Sequence, residues 1–163
     1  MEIETADRYC DICGAKVETP VDTLAGLSAA PRLIAEALRS ARPGTREGWS
    51  PSAVAAHLAD AEVVFGWRLR QTLAEEEPEL QPFDQDHWAA ALWYETRDPS
   101  ASLRAYAAVI DGNVALLRTL DDAGWERRYC QPEYGVMSLR KLAQHESDHD
   151  VAHLRQIQAS GAP

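Results

Sequence analysis

Cysteines and long apolar runs are both scarce in this sequence. Only three of the 163 residues are cysteines, too few for the disulfide framework that is typical of small secreted domains. No apolar run approaches the roughly 18 residues that a transmembrane helix requires. The first ten residues, MEIETADRYC, are too polar and acidic for a signal peptide. We therefore expect a cytoplasmic protein whose cysteines are thiols or metal ligands.

Basic residues are also in the minority, with 16 Lys and Arg against 26 Asp and Glu and a net charge of −10. Nucleic acids and anionic membranes both bind through basic patches, so we expect neither as a partner. The hydrophobic content of 45% is ordinary for a globular protein. The length suffices for one domain with a real core.

Apolar residues recur every three to four positions in four segments, which predicts four long helices. They are expected near residues 21–42, 51–74, 99–120 and 139–158, with a short helix at 84–92 and a loop at 121–134. Pro31 leaves open a kink or a later start of the first helix. We find no convincing strand. The prediction is an all-α four-helix bundle over residues 21–160, preceded by an extension over residues 1–20.

Three of the five histidines, His145, His149 and His153, stand four residues apart in the last predicted helix. That spacing places consecutive side chains one turn apart on nearly the same face, where two imidazoles can bind one metal ion. Residues at alternating three- and four-residue steps form the inward seam of this helix: Leu139, Leu142, Glu146, His149, His153 and Gln156. A solvated, partly charged helix face is the alternative interpretation. His57 shares a face with apolar residues of the second helix, and it matters only if it lies opposite the pair.

A C-x-x-C-G motif at residues 10–14 forms half of a zinc-ribbon pattern. The second half is absent, and Cys130 is the only other cysteine. Cys10, Cys13 and Cys130 are therefore a possible second metal site that needs a further ligand. A redox pair and an unliganded tail are the two alternatives.

Several of these features occur together in one order along the chain. The second helix carries HLADAE, the long connection carries FDQDHW, a PEYG turn occupies residues 132–135, and the last helix contains H-x3-H-x3-H-x2-Q-I over residues 145–157. The set resembles the DinB-like superfamily of DinB- and YfiT-type four-helix bundles over roughly residues 21–158. The CxxCG extension and Cys130 depart from that pattern.

This resemblance implies an up-up-down-down bundle with a long crossover between the second and third helices. It also implies a divalent metal held by His57, His149 and His153, with His145 as a neighbour. A His145/His149 pair stays open. The metal expected first is zinc, with nickel, manganese and iron as alternatives. Homodimers are common in the superfamily, so we expect one here.

Three histidine ligands leave one coordination position open, as in catalytic zinc sites. The superfamily implies a thiol S-transferase, using a low-molecular-weight thiol cosubstrate such as bacillithiol or mycothiol, or a hydrolase. Glu146 and Asp60 are the candidates for proton transfer, and Trp88 and Trp93 are candidates for pocket walls. The alternatives are a non-catalytic metal-binding stress-response or interaction module, and a metal-free bundle with structural histidines.

Overall fold

The structure is a computed structural model that describes residues 22–42, 48–132 and 134–160, together with the backbone of two short strands. These strands, β1 at Arg8–Tyr9 and β2 at Lys16–Val17, pair antiparallel. Cys10 and Cys13 lie outside the described residues. The three interpretations of the C-x-x-C-G motif therefore all stay predictions.

Four long helices make up most of the described chain. They are α1 at Thr23–Ser40, α2 at Pro51–Ala74, α4 at Pro99–Leu117 and α6 at Leu139–Ser160. Two short helices, α3 at Gln85–Ala91 and α5 at Asp122–Trp125, lie in the connections, and a 3₁₀ turn covers Tyr94–Thr96. The predicted four-helix bundle is confirmed, and so is the long crossover, which runs from α2 to α4.

Side-chain caps determine where these helices begin. Ser50 and Asp98 accept hydrogen bonds from backbone N–H groups in the first turns of α2 and α4, and a proline follows each cap directly. The first helix begins at Thr23 and continues through Pro31, so the later start is wrong. Leu27 and Ile34 on either side of the proline are fully buried. Their packing outweighs the one backbone hydrogen bond that proline removes.

Within the bundle, α2 packs mainly against α4 and α1 mainly against α6. Residues near the helix ends give the directions. Thr23 near the start of α1 is hydrogen-bonded to Gln144 in the first half of α6, and Ser28 in α1 is hydrogen-bonded to Arg118 at the end of α4. Pro51 and Pro99, at the starts of α2 and α4, line one surface pocket. The neighbours in each main pair are therefore parallel, and the two pairs run in opposite directions.

The observed helix directions are up-down-down-up in chain order. They differ from the expected up-up-down-down arrangement, because α1 and α2 run in opposite directions. The connection lengths explain it. The chain between α1 and α2 is short, and the two helices run in opposite directions on either side of it. The crossover over residues 75–98 is long enough to return along the bundle, so α4 starts beside the start of α2. One consequence matters for the site: α6 runs antiparallel to α2, which sets late residues of α6 against early residues of α2.

Most of the core is one apolar cluster to which all four long helices contribute, and a smaller cluster of Ala53, Ala56 and Tyr94 packs against Trp49 and Trp88. The largest fully buried side chains of the main cluster include Leu27, Ile34, Leu58, Phe65, Leu69, Tyr106, Ile110, Leu117, Leu139 and Ile157. No helix among the described residues is long and apolar enough to cross a membrane.

A β-hairpin occupies a segment that we expected to be a loop and a turn. Its strands are β3 at Arg128–Gln131 and β4 at Gly135–Ser138. Four-residue strands carry too few residues to show a two-residue periodicity. The Cys130 N–H donates to the Pro78 oxygen and the Leu80 N–H donates to the Cys130 oxygen, and these backbone hydrogen bonds attach the hairpin to the beginning of the crossover. Tyr129 is buried against the core, so the hairpin holds the crossover near the end of α2.

Gly66 marks a close approach between α2 and α4. A Cβ built there would lie 2.8 Å from both polar side-chain atoms of Asn113, which Arg70 and Glu62 hold in place by hydrogen bonds of 2.6 and 2.7 Å. We expect Gly66→Ala to lower the free energy of unfolding by about 1–3 kcal/mol. Gly112, on exposed α4 surface with no atom within 4 Å of its Cβ position, is the matched control.

Gly112→Ala is expected to raise the free energy of unfolding by about 0.5–1 kcal/mol, because alanine is the better helix former. Urea denaturation of the two variants beside the unmodified protein measures both changes. Equal effects of the two substitutions would show that the Asn113 contact does not limit the α2–α4 distance.

Candidate metal centre

Three histidine side chains from two helices meet inside the bundle. His57 lies in the second turn of α2, and His149 and His153 lie one turn apart on α6. The Nε2 atom of His149 is 2.9 Å from that of His57 and 3.1 Å from that of His153. All three side chains are buried, with at most 5% of their surface exposed. The structure thus brings together the three residues for which we expected a shared site.

The helix directions explain this meeting. The four-residue step in α6 places His149 and His153 on one face, and the antiparallel approach of α2 presents His57 to that face. Aromatic rings close the other side, since Trp49 lies 4.9 Å from the His57 ring and Tyr94 lies 5.9 Å from Trp49. Sequence analysis missed both aromatic residues, because they lie in connections rather than on the helix seams.

The three imidazoles are chemically suited to one divalent cation. Burial lowers the pKa of all three, that of His57 to about 3, so each imidazole stays neutral. Two ligand nitrogens at about 2.0–2.1 Å from a tetrahedral zinc ion are roughly 3.3 Å apart, close to the separations found here. A neutral imidazole protonated at Nδ1 presents only a lone pair at Nε2, and a cation would satisfy three such converging lone pairs at once.

Side chains next to the histidines determine which ring nitrogen faces the centre. His153 Nδ1 lies 2.7 Å from the amide oxygen of Gln156. Because that oxygen only accepts hydrogen bonds, Nδ1 carries the proton and Nε2 keeps its lone pair. On the neighbouring histidine, His149 Nδ1 lies 3.8 Å from Glu146 Oε1. His57 Nδ1 is buried and has no hydrogen-bond partner among the described residues.

The Gln156 contact predicts an effect on metal affinity. Replacing Gln156 with alanine removes the acceptor that fixes the His153 tautomer, and losses of this kind weaken metal binding about 10–100-fold. The control is Gln158→Ala, an exposed glutamine two residues further along α6. Competition with a chromophoric chelator measures the Zn²⁺ dissociation constants. Equal constants for the two variants would contradict a role for Gln156 in orienting His153.

A group of buried carboxyls lies directly behind the histidines. It contains Glu62 on α2, with Glu146 and Asp150 on α6, all less than 10% exposed. Burial raises the pKa of each of them, that of Glu62 to about 7. Asn113 donates a 2.7 Å hydrogen bond to Glu62 Oε1. Of this group, only Glu146 was identified from the sequence as a site candidate.

A small cavity opens beside the histidines, with a volume of about 20 Å³. That is room for about one water molecule. Its wall is formed by His57, His145, His149, Glu146, Phe65, Arg68 and Phe83, among others. His145 therefore lines the cavity, whereas the converging Nε2 atoms belong to His57, His149 and His153.

Other predicted site residues do not line the cavity beside the histidines. The Asp60 carboxylate forms a 2.7 Å ion pair with Arg97. Trp88 is half-buried and packs on Phe83 at a ring distance of 4.9 Å, whereas Trp93 is 73% exposed. Cys130 is a half-buried free thiol on β3, and the cysteine site to which we assigned it stays a prediction.

Comparison with known proteins gives a consistent picture. Residues 22–157 match the family model of the DinB superfamily. The chain is 32% identical over 114 residues to "Putative metal-dependent hydrolase YfiT" of Bacillus subtilis, covering 68% of this chain and 64% of that protein. It is 28% identical over 141 residues to "Putative metal-dependent hydrolase" of Geobacillus thermodenitrificans, covering 79% of each.

The fold has a close counterpart among solved structures. The structure of YfiT from Bacillus subtilis, described as an unusual four-helix bundle topology, superposes with a TM-score of 0.79 at 25% identity. The superposition covers 88% of this chain and 89% of that one. In the sequence alignment, by contrast, the chain spans slightly less than two thirds of the length of YfiT. The family match, the relatives and the shared bundle agree, and this chain belongs to the DinB superfamily.

Proposed function

We propose that the protein is a metal-dependent hydrolase of a small molecule, with His57, His149 and His153 as metal ligands. The observation that carries this proposal is the convergence of three buried Nε2 atoms, 2.9 and 3.1 Å apart through His149. Three protein ligands leave a coordination position for water or substrate, as in catalytic zinc sites. The names of the relatives point to the same class of activity.

A bound zinc ion supplies a water molecule whose pKa is lowered to about 7. The remaining tasks fall to side chains around the 20 Å³ cavity. We assign Glu146, which lines that cavity, as the group whose Oε1 accepts a proton from a water molecule held there. A cation at the histidines would offset the burial that raises the pKa of this carboxyl and would favour its ionised form. Zinc is our first choice of metal, and imidazole ligands also suit nickel and iron, whereas manganese prefers oxygen ligands.

The role that we assign to Asp60 is a positioning one. Its carboxylate accepts a hydrogen bond from Arg97, and the Arg97 guanidinium lies over the Tyr94 ring at 5.6 Å. Tyr94 in turn packs against Trp49, which contacts His57. Asp60 thereby holds the aromatic wall against the first metal ligand rather than meeting the substrate.

Hydrolysis of p-nitrophenyl esters and anilides by metal-free and zinc-loaded protein tests this function. We expect activity only with metal, none in His149→Ala, and activity retained in His87→Ala, a control at an exposed histidine of α3 that does not line the cavity. Glu146→Gln should lower kcat by about 10²–10⁴-fold, the usual contribution of a general base. Equal rates with and without metal would contradict the proposal.

Thiol transfer is the second reaction class that the same open metal position permits. The relatives' names favour hydrolysis, and no side chain among the described residues identifies a thiol cosubstrate. Consumption of bacillithiol or mycothiol by the zinc-loaded protein, without ester hydrolysis, would favour transfer instead. Metal binding without either activity would favour the non-catalytic interaction module.

We retain two further proposals from the sequence. One is a second metal site formed by Cys10, Cys13 and Cys130 between the extension and the bundle. The other is a homodimer. A second metal equivalent that is lost on Cys13→Ala, and the mass of the protein in solution, test them separately.

A further inference from the structure

A surface groove of about 460 Å³ runs along α2 beside the beginning of the crossover. Most of its lining is apolar, from Val63, Trp67, Pro82, Phe83 and Trp88. Trp67 is 66% exposed and Val63 is 54% exposed, which is unusual for large apolar side chains of one helix face. The size suits a small organic molecule with an aromatic or alkyl body.

One cation lies at the inner wall of this groove. Arg68 donates a hydrogen bond to the backbone oxygen of Gln81 and stacks near Phe83, with 5.9 Å from its guanidinium carbon to the ring centre. Its Nε is buried and has no hydrogen-bond partner among the described residues. Glu79 lines the groove at an exposed position, and Glu146 is the carboxyl whose charge acts on the guanidinium from inside the bundle.

The groove and the small cavity beside the histidines share two wall residues. Arg68 and Phe83 line both the groove and the small cavity that His57 and His149 border. On α2, Arg68 lies eleven residues after His57, about three turns along nearly the same face. Helical side chains lean toward the N-terminus of their helix, which directs the Arg68 guanidinium toward the His57 end.

We propose that this groove binds the substrate, and that the substrate is an amphipathic carboxylate. Its aromatic or alkyl body lies against Trp67, Phe83 and Trp88, and its carboxylate pairs with the Arg68 guanidinium at the inner wall of the groove. The bond to be hydrolysed then lies on the side of Arg68 that faces His57 and His149. This assignment of substrate class rests on the proposed hydrolase function, whereas the binding site itself needs no metal.

Binding of 4-phenylbutyrate, compared with its neutral amide 4-phenylbutyramide, tests the groove directly. Chemical-shift titration of the metal-free protein gives both dissociation constants, and the indole N–H signals of Trp67 and Trp93 report the location. We expect the carboxylate to bind about tenfold or more tightly than the amide, the usual effect of a charge-assisted hydrogen bond. The Trp67 signal should move, and that of the exposed Trp93, which does not line the groove, should not.

Variants of Arg68 then test whether this side chain binds the carboxylate. Arg68→Gln should weaken phenylbutyrate about tenfold and leave the amide within about twofold, while Arg68→Lys keeps part of the preference. Arg104→Gln, which removes an exposed arginine of α4, is the matched control and should change neither constant. The melting temperature of each variant shows whether the loss of the hydrogen bond between Arg68 and Gln81 destabilises the fold.

Equal affinities for the two probes on the unmodified protein, or shifts at Trp93 instead of Trp67, would overturn the proposal even if Arg68→Gln does not fold. These results are independent of the metal. If the probes behave as expected but the histidines bind no metal, the binding site in the groove is supported and the proposed hydrolase function is contradicted. If the histidines bind metal but the carboxylate is not preferred, the substrate class alone fails.

Discussion

Adding Zn²⁺ to the metal-free protein is expected to raise its free energy of unfolding by about 4 kcal/mol when free Zn²⁺ is 1,000 times its dissociation constant. The reason is that the three Nε2 atoms converge only in the folded bundle, through contacts between α2 and α6. A ligand that binds the folded state alone stabilises it by mass action. Urea denaturation at fixed free Zn²⁺ measures the increase.

Two variants control for this prediction. In each of them we compare the zinc-dependent increase in the free energy of unfolding rather than the absolute stability. His149→Ala removes the ligand that contacts both other histidines and should lose nearly the whole zinc-dependent increment. His145→Ala, which alters a neighbouring histidine of the same helix, should keep it. An undiminished increment in His149→Ala would place the stabilising metal elsewhere.

Replacing Glu62 with glutamine is expected to change how stability depends on pH. Burial raises the pKa of Glu62 from its ordinary 4.5 to about 7 in the folded protein. Its contribution to stability is therefore fully present below pH 4.5 and is lost as the pH rises through about 7. Glutamine does not titrate. The free energy of unfolding of Glu62→Gln, relative to the unmodified protein, should rise by about 3 kcal/mol over this window.

The measurement is urea denaturation of both metal-free proteins at several values between pH 4.5 and 8. The buried histidines also make stability depend on pH, and with the opposite sign, since burial lowers their pKa values. Both proteins keep them, so their effect largely cancels in the difference. Glu79→Gln, at an exposed position of the crossover, controls for the loss of one negative charge. A difference that stays constant with pH would show that Glu62 is ionised in the folded state.

The sequence predicted the bundle well because its signals are local. The start of α2 follows from Ser50 and Pro51, and the fourth helix follows from a regular apolar seam ending in His149 and His153. These patterns report on positions within one or two helical turns. The hairpin was missed because its strands have four residues each, and the helix directions were wrong because they depend on how long connections cross the bundle.

The surroundings of the site were harder to predict for the same reason. Trp49 and Tyr94 reach His57 from two different connections, and no spacing rule links them to the histidines. Glu62 and Asp150 stand on predicted helices, yet only the antiparallel approach of α2 and α6 places both behind the histidines. Arg68 has an ordinary position in sequence, and its significance comes from the groove and cavity that meet beside it.

The most direct test of the three-histidine centre is the metal content per chain of protein purified without an affinity tag or added metal. The comparison includes His57→Ala, His149→Ala and His153→Ala, with His145→Ala as the matched control. We expect one divalent metal per chain in the unmodified protein and in His145→Ala, and a near-complete loss in each of the other three. Metal retained in His149→Ala, or lost on His145→Ala while His153→Ala keeps it, would contradict the assignment of His57, His149 and His153 as the ligands.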